Sequence, residues 1–335
     1  MTISYIGIIG AGAWGTALAQ AVHRAGCGAV LWCFEPGVEE VINRTHENTT
    51  YLPGIKLDAG IRATAILDEA AATDAIFLAV PAQFLRNVAT DLSSTLARDI
   101  PVVVCAKGIE QHSAALMSEI VGDILPGRPL AVLSGPTFAA EVAMGLPTAV
   151  TLATQEPDVG NELIEAIGAQ TLRPYLSEDV IGAEIGGAVK NVLAIACGVT
   201  EGCGFGYNAR AALITRGLAE MTRLCLAKGG KAETMMGLSG LGDLTLTCSS
   251  SQSRNYSLGE AIGKGEALGE VLASRNSVAE GVTSAAAVLT LAKRLGVEMP
   301  ITESVVGIVN GTLTVDEAVK GLLARPFQAE NQARR

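Results

Sequence analysis

Between residues 3 and 153, short apolar runs rich in β-branched residues alternate with alanine-rich stretches whose apolar positions recur at helical spacing. This is the pattern of βα units wrapped around a parallel sheet buried on both faces. The runs predict strands over Tyr5 to Ile9, Ala29 to Trp32, Ala75 to Val80, Val102 to Cys105, Ala131 to Leu133 and Ala149 to Ala153. The best-defined crossover helix covers residues 14 to 25. A helix begun near Pro157 and a strand around Thr171 to Tyr175 close this half. From Ile181 onward strand signals all but vanish, and Ala- and Leu-rich segments separated by glycine predict helices over 181–199, 208–228, 254–263, 278–295, 301–310 and 315–324. The last opens on the capping-box pair Thr314 and Glu317. The pattern divides the chain into a Rossmann-like doubly wound α/β domain, 1–180, and an all-α domain, 181–335.

Composition sharpens this picture. A chain of 335 residues that is 49% hydrophobic and 17% charged has core enough for two domains. Thirty-four acidic against 24 basic residues give a net charge of -10, which argues against nucleic acid or an anionic membrane as partner. An anionic ligand therefore needs a local site. Residues 3–22 carry no charge and could pass for a membrane span, but no basic region precedes them. Gly7, Gly10, Gly12 and Gly15 also interrupt the run, so no membrane span is expected. Seven cysteines with no CxxC pair read as reduced thiols of a cytoplasmic protein. No His, Cys or carboxylate cluster has ligand spacing, so no metal is expected.

Residues 10 to 15 read GAGAWG, following the apolar run Ile6 to Ile9 and opening a helix. In that context the GxGxxG pattern points to a dinucleotide. Gly10 permits the tight turn, Gly12 lets the backbone approach a pyrophosphate, and Gly15 lets helix and strand pack closely. The helix N-terminus then faces the phosphates. Glu35 stands about 20 residues beyond the last glycine, where an acidic side chain hydrogen-bonds the adenosine ribose. A carboxylate there repels a 2′-phosphate, and no arginine follows until Arg44, so NAD is favoured over NADP. The alternative is a Glu35 that only caps the turn before Pro36.

Further segments are spread over most of the chain: HENTTYLPGIKL (46–57), FLAVPAQ (77–83), CAKGIE (105–110), SGPTFAAEVA (134–143), AVKNVLAIACG (188–198), GLSGLGDLTLTC (237–248), SQSRN (251–255) and AEGVTS (279–284). Together they resemble NAD-dependent glycerol-3-phosphate dehydrogenase over residues 3 to 324. The resemblance implies reversible hydride transfer between NAD(P)H and dihydroxyacetone phosphate, giving sn-glycerol 3-phosphate for phospholipid synthesis. It also implies a helical domain like that at the C-terminus of 6-phosphogluconate dehydrogenase, and a homodimer. Carried over by residue, Lys190, Lys107, Asp243 and Asn191 are the expected catalytic set. Gly135, Thr137, Thr247, Ser253, Arg254 and Asn255, with Lys107, Lys190 and Asp243, would hold substrate. Gly10, Gly12, Ala13, Trp14, Gly15, Phe34, Glu35, Pro81, Lys107, Ala139, Arg254, Val278 and Glu280 would line the cofactor.

The chemistry fits those roles. Ketone reduction needs an acid to protonate the incipient alkoxide, and His23, His46 and His112, the three histidines, lie in no position that marks one of them as that acid. Lys190 is the lone basic residue between Arg173 and Arg210, on an apolar helix where desolvation would lower its pKa. The pattern alone equally allows a snorkelling side chain with its amine in water. Lys107 follows a strand at its carboxyl end, the edge where open α/β sheets bind ligands. Arg254, set in SSSQSRN just before a helix, can grip phosphate bidentately, although a Ser-rich stretch is also a common flexible loop. Asp243 and Thr137 could instead be helix N-caps, and Ser277 with Glu280 forms a capping box. Two rivals remain at this level: a two-domain hydroxyacyl-CoA or hydroxy-acid dehydrogenase, and a non-catalytic nicotinamide-binding sensor. Lys107, Lys190, Asp243 and the Ser253–Arg254–Asn255 cluster favour a small phosphorylated triose over both.

Overall fold

A computed structural model describes residues 3–273 and 280–326. The apolar runs form one eight-stranded sheet: β1 (Tyr5–Ile9), β2 (Gly28–Trp32), β3 (Arg62–Thr64), β4 (Ala75–Leu78), β5 (Val102–Val104), β6 (Leu130–Ser134), β7 (Thr148–Thr154) and β8 (Leu172–Ser177). The order is β3-β2-β1-β4-β5-β6-β7-β8. β4 and β5 are buried at every position, as strands covered on both faces must be. The chain reverses its direction of travel between β1 and β4, whose carboxyl ends therefore open a crevice. Residues 3–22 are spent on β1, the glycine turn and the helix Ala13–Arg24, inside this domain.

Two features depart from the sequence pattern. The sheet is not wholly parallel, because β6 and β7 pair antiparallel with Leu133 opposite Leu152. The link between them, residues 135–147, holds the single short helix Ala139–Met144 and returns the chain in the opposite direction beside β6. The edge strand β3, reading RAT, was not expected; its three residues are too few to show a period.

The second half is helical, and its axis is the helix Val180–Gly202. By length and composition this helix could cross a membrane, yet most of it is buried within the domain. Helix Arg254–Gly263 crosses it at backbone contact: a Cβ on Gly198 would run into the Tyr256 carbonyl oxygen, and one on Gly259 into that of Ile195. At the domain boundary the buried Glu184 accepts from the Ser118 backbone N–H at 2.8 Å and from its hydroxyl. Burial pushes that carboxyl up to about 7. The Thr314–Glu317 capping box forms as expected. Ser277, Val278 and the start expected for helix 278–295 lie outside the described residues; the described helix runs Glu280–Arg294.

Gly198→Ala gives a test with a reversed sign. In an exposed helix the change stabilises by about 1 kcal/mol. Here the added methyl has no room, and a loss of about 1–3 kcal/mol is expected in chemical denaturation.

Candidate active site

The glycine turn after β1 has the shape a pyrophosphate requires. Gly10 sits at φ 115, a left-handed conformation that disfavours any side chain. A Cβ on Gly15 would strike the Gly10 carbonyl, whereas one on Gly12 would meet nothing within 4 Å. Gly12 caps the helix Ala13–Arg24 with no side-chain hydrogen bond, and its first turn holds no acidic residue. The helix start thus offers backbone amides and dipole to an anion from open space, which fits a nicotinamide dinucleotide. Trp14, partly buried, packs against the sheet core, its indole nitrogen having no hydrogen-bond partner.

At the end of β2, Phe34 is 75% exposed and stands edge-on to Trp32. Glu35 is exposed, and its Oε1 accepts from the Tyr51 hydroxyl at 2.7 Å. Glu35 therefore does more than cap a turn. Pro81, after β4, opens a short 3-10 turn beside the same crevice, and Ala139 begins the helix that follows β6.

The chemical centre forms where the domains meet. Asp243, fully buried, accepts from Lys190 Nζ at 2.6 Å through Oδ1 and from Lys107 Nζ at 2.7 Å through Oδ2. Lys190 Nζ also donates to the Thr247 hydroxyl at 3.0 Å, and Lys107 Nζ to the Gly135 carbonyl at 2.8 Å. Lys190 is not a snorkelling side chain: it is 6% exposed. Desolvation, helped by Lys107 and opposed by Asp243, lowers its pKa from 10.5 to about 8.

Local structure explains how these groups converge. Asp243 follows a π-helical turn, Leu238–Gly242, in which Gly242 N–H donates to the Gly237 carbonyl. A Cβ on Gly186 would strike the Ser239 carbonyl, so only glycine lets this turn lie against helix Val180–Gly202. On the sheet side Gly135, at φ 140, turns its carbonyl to Lys107.

The neighbouring residues are tied in by amide contacts. Asn255 Nδ2 donates to Asn191 Oδ1 at 3.0 Å, and Asn255 Oδ1 accepts from Gly281 N–H at 2.9 Å. Lys190 and Arg254 are the chain neighbours of that bonded asparagine pair. Arg254, exposed, occupies the first turn of its helix, and the Ser253 hydroxyl caps that helix by accepting from Tyr256 N–H. The Ser-rich stretch therefore ends in an ordered helix start. Burial raises the pKa of the Glu280 carboxyl, against the pull of Arg254, Lys190 and Lys107.

Two alternatives from the sequence fall away. Asp243 is the first residue of helix Asp243–Cys248, but its carboxylate goes to the lysines. Thr137 is not the cap of the next helix, a position held by Phe138; its hydroxyl donates to the Gly135 carbonyl and accepts from Lys107 Nζ at 3.5 Å. Val278 lies outside the described residues. Sequence reasoning missed Asn48 and Tyr51, noted only as part of a motif. It also missed Ser134, whose buried hydroxyl has no partner and lies near Gly187, as the Lys107 side chain does. A buried asparagine in a polar loop leaves no trace in hydrophobic periodicity.

A Rossmann-type domain that shares its chemical centre with an all-helical domain belongs to the two-domain nicotinamide-dependent dehydrogenases. Residues 5–159 match the family model for the N-terminus of NAD-dependent glycerol-3-phosphate dehydrogenase, and residues 179–320 match that for its C-terminus. The chain belongs to this family. Glycerol-3-phosphate dehydrogenase [NAD(P)+] of Parvibaculum lavamentivorans is 57% identical over 98% of this chain and 100% of its own length. That of Rhodospirillum rubrum is 56% identical over 98% of this chain and 94% of its own. The crystal structure of glycerol-3-phosphate dehydrogenase from Coxiella burnetii superposes with a TM-score of 0.93 at 39% identity, covering 96% of this chain and 99% of that one. Use of NAD or NADP follows from the family.

Asp243→Asn removes the largest influence holding the Lys190 pKa up while leaving Lys107 to push it down. The Lys190 pKa, read by competitive amine labelling across pH with mass spectrometry, is expected to fall below about 8. An unchanged or higher value would show that the carboxylate does not hold the ammonium.

Proposed function

We propose that this chain is an sn-glycerol-3-phosphate dehydrogenase in which Lys190 is the proton donor for reduction of dihydroxyacetone phosphate. The observation that carries this reading is the pair of lysines on one buried carboxylate, at the boundary of a dinucleotide-binding domain. The bound nicotinamide supplies or accepts the hydride. Protonated Lys190 gives a proton to the carbonyl oxygen as it gains negative charge, and takes it back in the oxidative direction. Lys107 adds positive charge next to that oxygen. Asp243 fixes both ammonium groups, Thr247 orients that of Lys190, and Asn191 with Asn255 sets the adjoining helix start.

Arg254, with the amides that open its helix, grips the substrate phosphate; Ser253 acts by holding that helix end in place. Gly135 and Thr137 complete the substrate side, while Phe34, Glu35, Pro81, Ala139, Val278 and Glu280 face the cofactor, with NAD preferred. The division at residue 180 sets a dinucleotide-binding domain against a helical domain that carries Lys190 and Asp243, with Lys107, Gly135 and Thr137 reaching the substrate from the first and Val278 and Glu280 the cofactor from the second. We place the enzyme in the cytoplasm as a homodimer feeding phospholipid synthesis. Seven thiols with no disulfide support the compartment, and the exposed Phe205 and Tyr207 give the helical domain apolar surface to bury.

Steady-state oxidation of NADH by dihydroxyacetone phosphate tests the assignment, with a hydroxyacyl-CoA ester as the competing substrate. Lys190→Met is expected to keep NADH affinity within about twofold and to lose at least about 10²-fold in kcat. Equal turnover in variant and parent would remove this lysine from the mechanism. The sign of the pH dependence follows from a group that must be protonated to act as acid. kcat/KM for reduction falls as pH rises through about 8, and kcat/KM for oxidation rises through the same range.

A further inference from the structure

The stretch from 46 to 57 holds no strand or helix, yet it is pinned throughout. Leu52 and Leu57 are buried in the sheet-domain core, and Leu57 N–H donates to the His46 carbonyl at 2.8 Å, closing the loop. Inside it, Asn48 is 1% exposed. Its Nδ2 donates to the Ala11 carbonyl and to the Thr16 hydroxyl oxygen, each at 2.8 Å, so it grips the glycine turn from behind. Its Oδ1 accepts from Tyr51 N–H at 3.1 Å, which sets the position of Tyr51. The Tyr51 hydroxyl then reaches Glu35 Oε1 at 2.7 Å. One short turn of chain therefore connects the pyrophosphate loop to the acidic residue at the end of β2.

We propose that Tyr51, set in place by Asn48, is the specificity-determining positioning residue of the cofactor site. It holds one oxygen of Glu35 so that the other faces the adenosine ribose, accepting from a 2′-hydroxyl and repelling a 2′-phosphate. The inference rests on the dinucleotide reading of the site and adds to it the group that enforces NAD over NADP. Burial and the carboxylate keep the Tyr51 hydroxyl protonated, since hydrogen bonding to Glu35 raises its pKa first of all. Without the tether the carboxylate turns toward water. NADH then loses a fixed acceptor and NADPH loses a fixed repulsion, so the two affinities move in opposite directions.

The test is calorimetric titration of the substrate-free protein with NADH and, separately, NADPH, for the parent, Tyr51→Phe and Glu35→Gln. Tyr51→Phe is expected to lower the NADH-to-NADPH affinity ratio by about tenfold, the scale of one hydrogen bond to a charged group. Glu35→Gln should lower it at least as far. A purely structural part for the hydroxyl would weaken both ligands equally and leave the ratio unchanged, which overturns the proposal. A ratio that moves in Glu35→Gln and stays within twofold in Tyr51→Phe overturns it as well, leaving the dinucleotide reading intact. Failure of the parent to bind either nucleotide would overturn both.

Discussion

A carboxylate with no exposure to water, shared by two lysines from different domains, is the constraint around which the rest of this molecule is arranged. Removing three charged groups from water costs several kcal/mol apiece, and their mutual attraction offsets that only when the geometry is tight. Each Asp243 oxygen lies within 2.7 Å of one ammonium nitrogen, which meets the condition. With both lysines protonated the trio carries two positive charges and one negative, a net +1; with Lys190 deprotonated it carries none. Within a chain of net charge -10 this trio is thus a local positive site, and its charge falls by one when Lys190 gives up its proton. An anionic substrate is drawn to the protonated form, the form able to give that proton away.

The constraint reaches into the backbone. Lys107 comes from the loop after β5, Lys190 from the middle of a buried helix and Asp243 from the end of a π-helical turn, so three separate elements must be held in register. Glycine makes this possible where helices meet, at Gly186 against Ser239 and at Gly198 against Tyr256, because main chain rests on main chain without an intervening side chain. Packing of that kind tolerates little movement. Glu184, capped by Ser118, adds a buried polar contact across the same domain boundary.

Much of this was readable in the chain itself, for reasons that differ by element. β1, β4 and the glycine turn were clear because a strand buried on both faces reads as an unbroken apolar run and a tight turn demands glycine. The helical texture after residue 181 was equally plain. The antiparallel β6–β7 pair was not, since a strand buried on both faces reads as the same apolar run whichever way it pairs. For Lys190, sequence could state only that an amine sat on an apolar helix. The choice between burial and snorkelling was made by Asp243, 53 positions away. Asn48 and Tyr51 were invisible as functional groups because their partners, Ala11, Thr16 and Glu35, are distant in sequence and joined by hydrogen bonds that leave no periodicity.

The choice of lysine over histidine as the acid follows from the same electrostatics. Burial and Lys107 together bring an amine from 10.5 to about 8, low enough to release a proton readily and high enough to hold one at neutral pH. An imidazole starts near 6.5, and burial beside a second cation would lower it further, disfavouring the protonated form that must act as donor. The three histidines stand elsewhere: His23 beside Asp58, His46 at a helix end in the left-handed conformation, and His112 exposed to solvent. A centre built on two neighbouring cations therefore suits an acid whose ordinary pKa lies well above neutrality yet can be lowered by burial, as that of the ε-ammonium is.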